Sequence, residues 1–402
     1  MITFAFDRKG DHGFVPNLVT RTDIVPKSDE WWDLCITPPF SYEFRFMRYM
    51  ELDGVPYKTV LVSEINEDTG PVTYPINLNF FDPEIDYIGL ISEDAKTLCK
   101  NGQLKILFYY SEGDNPKSHI ENRLQAMCDT HGISMGNIKF VIANKAADKK
   151  GPFIYFPDDE VYYRYLHIRE KRYVKQVNVQ QRSKIYTCLN RMDKPFRKLF
   201  ASSLWYHGLV DNGYFSYTGM RYTREYNERN IDPVYKWKNH WQNIEELFDN
   251  FSMHVPFLTD ELDDNAHNNH KLIDERFYTD AYFNFVVETH FSKNNVFLTE
   301  KTFKPILNMQ PFIIVGAPGS LKLLKELGYE TFGDWIDEGY DNVKNDENRM
   351  FDCFATAYEL NNTPHENLIT MMKEMIPVLA HNQQVLLSSK KAPLENLIKQ
   401  IL

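Results

Sequence analysis

Glu288, Glu300 and Lys301 are the residues whose type and spacing point most directly to chemistry. They lie in FNFVVETHFSKNNVFLTEKTFKPILNMQPFIIVGAPGS, residues 283 to 320, which sets charged residues between two apolar runs and a Gly/Pro turn. Phe283 to Val287 and Phe312 to Val315 read as short buried parallel strands, and Glu300 to Asn308 between them reads as a helix. A strand, a polar loop, a helix opened by Thr299-Glu300-Lys301 and a second strand make a βαβ unit, whose ligands lie at the carboxyl ends of its strands. Helix starts of this kind favour phosphate, and a lysine placed there suits the neutralising of a departing diphosphate. As an isolated tripeptide, Thr-Glu-Lys is a capped, solvated helix start; its position between two buried strands, with Glu288 closing the first, favours function.

A second candidate lies upstream. Ile185 to Leu189 reads as a strand, followed by NRMDKPFR and an amphipathic helix through Leu199, Phe200, Leu204 and Leu209. This is the pattern of a first βα unit of a nucleotide-binding domain, with Asn190 at the strand end and Arg197 in the first helical turn. A basic residue there opposes the macrodipole preference for acids, which fits an anionic ligand, although a surface arginine has the same sequence signature.

The Phe-x-Phe-x-x-Glu strand, the hydrophobic-Thr-Glu-Lys helix start and the strand ending Gly-x-Pro resemble the donor-binding signature of the family 10 glycosyltransferases, the α1,3/4-fucosyltransferase-like enzymes. The resemblance is tight over about 40 residues, the size of one βαβ unit, and loose over roughly the last 220. The continuation from Gly319 to Phe332 resembles phage-encoded relatives. The resemblance implies a GT-B fold, two Rossmann-like domains facing a central cleft, and transfer of a sugar from a nucleotide-diphosphate donor with inversion. It implies that Glu288 contacts the donor sugar, that Glu300 and Lys301 contact ribose and diphosphate, and that Arg197 contacts the donor phosphate. Where the family usually has Asn-Ser after the first glutamate, this chain has Thr289-His290, beside the expected sugar pocket.

A chain of 402 residues with 43% hydrophobic content suffices for two cores. The expected division is an N-terminal acceptor-side domain over 1–166, a charged linker over 167–183, and a nucleotide-sugar-binding domain over 184–402. In the N-terminal part Tyr57 to Ser63, Tyr87 to Ile91, Lys105 to Tyr110 and Ile138 to Ala143 read as strands, with a helix over Ser118 to Thr130. Five scattered cysteines with no CxxC pair, no secretory signal and no apolar run long enough to span a bilayer point to a cytoplasmic protein.

Transfer to a hydroxyl also needs a base. Glu112, with Asp114 second, follows the strand ending at Tyr110 and is the expected base, ahead of Glu64; an ordinary acidic turn has the same appearance. The run DELDDNAHNNH, Asp260 to His270, holds metal-ligating residue types, but no helix or turn signal organises them, so no metal and no cofactor beyond the nucleotide-sugar co-substrate is expected. A net charge of -11 argues against coating DNA by bulk electrostatics. A basic, aromatic band between residues 145 and 240, including Arg164, Lys171, Arg172, Lys175 and Arg182, is nonetheless placed to track a phosphate backbone, or is a solvated surface. Lys171, Arg172 and Lys175 are its expected acceptor contacts. The leading acceptor is a 5-hydroxymethylpyrimidine in phage DNA, the alternative a lipopolysaccharide or other glycan hydroxyl. A reading from another class is a non-catalytic nucleotide-sugar or nucleic-acid binding module.

Overall fold

The computed structural model describes residues 1–7, 45–78, 81–115, 120–148, 150–170, 173–220, 234, 237–259, 274–292, 295–388 and 391–402. These residues form two compact units of mixed α/β structure, residues 1–158 with 389–402, and residues 159–388. Residues 173–183, expected within a linker, run with the second unit. There Val174 N donates to Asn308 Oδ1 (3.2 Å), and the buried Arg182 guanidinium donates to the carbonyls of Asn178, Tyr278 and Ala281.

The first unit is built on β1 (Ile2–Phe6), α1 (Arg45–Asp53), β2 (Tyr57–Leu61), β3 (Val72–Leu78), α2 (Glu93–Lys100), β4 (Leu104–Tyr110), α3 (Ile120–His131), β5 (Ile138–Ile142) and β6 (Phe153–Tyr155). Its six strands are all parallel, in the order β2-β1-β3-β4-β5-β6. Parallel sheets are covered on both faces, so their strands are apolar runs such as Leu104–Tyr110 (LKILFYY) rather than alternating ones. Tyr87 to Ile91, expected as a strand, is a turn: Asp86 Oδ1 takes the Gly89 N–H (2.9 Å), a local side-chain bond that competes with strand pairing. The strand β3 carries Pro75, which speaks against a central strand. It is accommodated because the β1 pairing covers only Val72 and Thr73, so Pro75 pairs on the β4 side alone, opposite Leu107.

In the second unit follow α4 (Asp158–Glu170, whose first residue belongs to the first unit), β7 (Lys184–Met192), α5 (Pro195–Tyr206), β8 (Gly213–Met220), α6 (Ile244–Ser252), α7 (Arg276–Thr279), β9 (Ala281–Val287), α8 (Glu300–Leu307), β10 (Phe312–Val315), α9 (Ser320–Glu326), α10 (Asp346–Asn362) and α11 (His365–Leu387). The helix α12 (Lys391–Ile401) returns to the first unit. Four parallel strands take the order β10-β9-β7-β8. The strands expected at 185–189, 283–287 and 312–315 and the helix opened by Thr299 are all present.

That order sets the switch point of the sheet. The chain leaves β7 for β8 on one side and later returns to β9 on the other, so the topological switch point lies between the carboxyl ends of β7 and β9. Successive side chains of β9 alternate between faces. Phe285 packs with Phe200 of α5 (6.3 Å between centroids), whereas Glu288 bonds to Thr302 of α8. The two helices therefore cover opposite faces, and both begin at the same edge.

Candidate functional site

At this edge Glu288 directly follows β9 and is fully buried. Its Oε1 accepts from Thr299 N (2.9 Å) and Thr302 Oγ1 (2.6 Å), and its Oε2 from Thr289 N (3.1 Å) and Thr299 Oγ1 (2.6 Å). The backbone N–H of Glu288 donates to Val315 O (3.0 Å), which carries the sheet pairing one residue past the strand. In its described state the carboxylate is engaged by the start of α8, not presented to a sugar.

Three cations hold on to the dipeptide Glu288–Thr289. Arg197, buried in the first turn of α5, donates from Nε (3.1 Å) and Nη2 (2.8 Å) to the Glu288 carbonyl. Lys194 Nζ donates to the Thr289 carbonyl (2.8 Å). Lys301 Nζ donates to Thr289 Oγ1 (3.2 Å), Thr299 Oγ1 (3.1 Å) and Glu300 Oε1 (2.8 Å), with its side chain 24% exposed. One turn along α8, burial pushes the pKa of the half-buried Lys304 down; Glu300 opposes that shift and Lys301 adds to it.

Asn190 lies in β7 at the same edge, buried, with Nδ2 against Cys188 Sγ (3.2 Å) and no hydrogen-bond partner for Oδ1. Burial drives the Cys188 thiol up to about 12, so it is a proton-bearing neighbour and not a nucleophile. A cavity of about 180 Å³ opens on the β8 side, lined by Asp193, Lys198, Tyr217, Gly219, Ser252 and Val255. Tyr217 is the register partner of Asn190, and its hydroxyl donates to Asp193 Oδ1 (2.6 Å).

The loop after Glu288 is clamped from behind. The buried Arg349 of α10 donates to Gly316 O (3.0 Å), Val343 O (2.9 Å) and Phe291 O, and lies over the Phe291 ring (4.2 Å). The start of α9, in the Gly/Pro turn after β10, already has an anion: Asp341 accepts from Leu321 N (3.0 Å) and Lys322 N (3.2 Å). Burial raises the pKa of Asp341, and these N–H groups offset part of the rise.

The structure thus brings Asn190, Arg197, Glu288, Glu300 and Lys301 to one strand edge. Lys194 stands within NRMDKPFR, but a lysine just before a helix-starting proline carries no motif that gives it a particular role from the sequence alone. Thr302 carries no signal in the sequence either; the Thr299 and Thr302 hydroxyls gain their role from a carboxylate 11 and 14 residues earlier, and Thr289 bonds to the same carboxylate through its backbone N–H.

In the first unit, Glu112 and Asp114 follow β4, both half-buried; the Glu112 carbonyl accepts from Ala143 N (3.1 Å) and Asp114 Oδ2 from Tyr110 OH (2.5 Å). Burial, then Asp114, drives the Tyr110 phenol far up, so it stays a donor. This unit's own switch point lies between β1 and β3. The carboxylate there is Asp7, which accepts from Tyr74 OH (2.7 Å) and Ser92 Oγ (2.5 Å) and was not anticipated. Glu64 sits in a short 3-10 turn after β2.

Lys171 and Arg172 lie outside the described residues, as does the acidic and histidine-rich run 260–270, whereas Lys175 is exposed. Two cations of the expected surface band face inward, Arg164 and Arg182, both buried. Among the described residues no cluster of three or more His, Cys, Asp or Glu is placed to hold a metal, and no helix is long and apolar enough to cross a membrane. No protein-family model matches the chain, and no curated protein matches it in sequence.

Proposed function

We propose that the protein is a GT-B-type glycosyltransferase that moves a sugar from a nucleotide-diphosphate donor to a hydroxyl, with inversion. The observation that carries this reading is the gathering of Lys194, Arg197 and Lys301 on one dipeptide at the switch point of a parallel sheet. Such a crevice is where doubly wound sheets take their ligands. Three cations there, against Glu288 already engaged by α8 and Glu300 paired with Lys301, suit a ligand with more than one negative charge.

In this reading Lys301, Arg197 and Lys194 stabilise the diphosphate as the glycosidic oxygen departs, the charge that develops in the transition state being met by preorganised donors. Glu300 holds the ribose, in keeping with the family resemblance, and the cavity lined by Asp193, Lys198 and Tyr217 lies on the β8 side of β7. The first unit carries the acceptor, whose hydroxyl proton passes to Glu112, or to Asp114, as the oxygen attacks the anomeric carbon from the face opposite the leaving group.

For the acceptor, a hydroxymethylated pyrimidine in DNA stands first and a glycan hydroxyl second; the inward-facing Arg164 and Arg182 leave the DNA reading resting on fewer surface cations, Lys175 among them. The deciding experiment incubates the protein with a panel of nucleotide sugars and each acceptor class, and reads the mass of the acceptor. Slow hydrolysis of a donor without acceptor separates a transferase from a silent binding module. Absence of both binding and hydrolysis across the panel would sink the reading.

A further inference from the structure

We propose that Glu288 is a positioning residue that sets the phosphate-binding cations and does not itself touch the sugar. The proposal rests on the reading of this crevice as a nucleoside-diphosphate site. A carboxylate offers about four lone-pair sites, and the Glu288 side chain spends them on Thr289 N, Thr299 N, Thr299 Oγ1 and Thr302 Oγ1. With the residue fully buried, no face is left for a ligand hydroxyl.

What the four bonds accomplish is visible in their direction. Two donors are the backbone N–H groups of Thr289 and Thr299, at opposite ends of the loop between β9 and α8, so the carboxylate closes that loop. Thr299 gives its hydroxyl hydrogen to Glu288, which turns its lone pairs toward Lys301 N (3.4 Å) and Lys301 Nζ (3.1 Å). Thr289, held by its N–H, offers Oγ1 to the same ammonium (3.2 Å). The backbone carbonyl of Glu288 meanwhile holds Arg197. One residue therefore orients one cation through its side chain and another through its main chain.

Glutamine cannot replace it. Each carboxylate oxygen accepts one backbone N–H, a donor that cannot reverse, so the amide NH2 faces a like donor in either orientation. The Thr299 hydroxyl then loses its fixed direction, and Lys301 its seat.

The test uses the full chain and isothermal calorimetry, with a nucleoside diphosphate, the matching nucleotide sugar and inorganic pyrophosphate as probes. Glu288→Gln should weaken the diphosphate and the nucleotide sugar by the same factor, about tenfold or more. In a Lys301→Ala background the same substitution should cost much less, because its effect passes through Lys301. A loss confined to the nucleotide sugar, or a full additive loss in the double variant, would overturn the proposal in favour of direct sugar contact. Thr302→Val, which removes one donor to Oε1 and keeps the shape, should move both affinities in the same direction by less, and serves if Glu288→Gln does not fold. Should the wild-type chain bind none of the probes, the functional reading falls. Hydrogen exchange at the Thr289 and Thr299 amides then decides the structural claim, which requires faster exchange in the variant.

Discussion

Replacing Lys301 with alanine separates what this side chain does for the fold from what it does for a ligand. Its ammonium bonds to Glu300 Oε1 at 2.8 Å and to two threonine hydroxyls at 3.1 and 3.2 Å, with the side chain 24% exposed. A partly solvated ion pair of this kind contributes about 0 to 1 kcal/mol to stability. Glu300 remains favourably placed in the first turn of α8 after the change, worth about 0.3 to 1 kcal/mol against the helix dipole. The unfolding midpoint should therefore move little. Binding is another matter, since a hydrogen bond to a charged group is worth about 1.5 to 3 kcal/mol, which corresponds to a weakening of about 10- to 150-fold. If the ammonium meets phosphate and not sugar, as proposed, a nucleoside diphosphate and its nucleotide sugar should weaken together. Calorimetry on the two ligands, with a thermal melt of each variant, provides the measurement. Unchanged diphosphate affinity in a folded variant would refute the phosphate role, and with it the reason for placing a donor at this edge.

Glu112→Gln should lower turnover by about 100- to 10,000-fold while leaving donor affinity nearly intact, as loss of a general base does. Survival of turnover in that variant, with its abolition by Asp114→Asn or Asp7→Asn, would move the base to the end of β4's turn or to the β1 switch point. Lys304→Met should raise stability at neutral pH, because burial lowers the folded-state pKa of this lysine and the cost of its charge is fully present below that value. The advantage should shrink as pH rises from the folded-state value toward the unfolded one near about 10.4, and a melt series that shows the opposite slope would exclude a desolvated ammonium. If DNA is the acceptor, log affinity should fall by about 0.9 per contacted phosphate for each log unit of salt. Charge reversal at Lys171, Arg172 and Lys175 should flatten that slope; a flat slope for the wild-type chain, with transfer to a glycan, would select the other acceptor.

The parts of the site that were legible in the sequence are those that local chemistry specifies. The run FIIV and the strand ending at Val287 are buried on both faces, and Thr299 caps α8 by accepting from Lys301 N, so pattern and cap agree with the fold. Asn190 and Arg197 were found for the same reason, as the end of one strand and the first turn of the next helix. What failed was long-range. The role of Glu288 depends on Thr299 and Thr302, brought back to it only when the loop closes. Arg164 and Arg182 looked like surface charge, but Arg182 satisfies its guanidinium with backbone carbonyls of residues 178, 278 and 281. In the first unit β1 and β3, the latter interrupted by Pro75, are not among the strands expected from the sequence, and with them goes the switch point that carries Asp7.

The contrast among the three helix starts that follow β7, β9 and β10 bears on where the proposed anionic ligand would sit. Every such start concentrates partial positive charge from its unpaired N–H groups. At α9 that charge is met by the Asp341 carboxylate, and at α8 by the Thr299 hydroxyl with Glu288 bonded to the same cap. At α5 no side chain caps the helix, which opens instead on Lys194, Pro195 and Arg197. Cations at an uncapped N-terminus raise the electrostatic cost of the bare chain, and a bound diphosphate lowers it again. In a protein of net charge -11, the proposed diphosphate site would have to rely on these local cations at the β7–β9 edge, since the net charge of the chain repels an anion at long range.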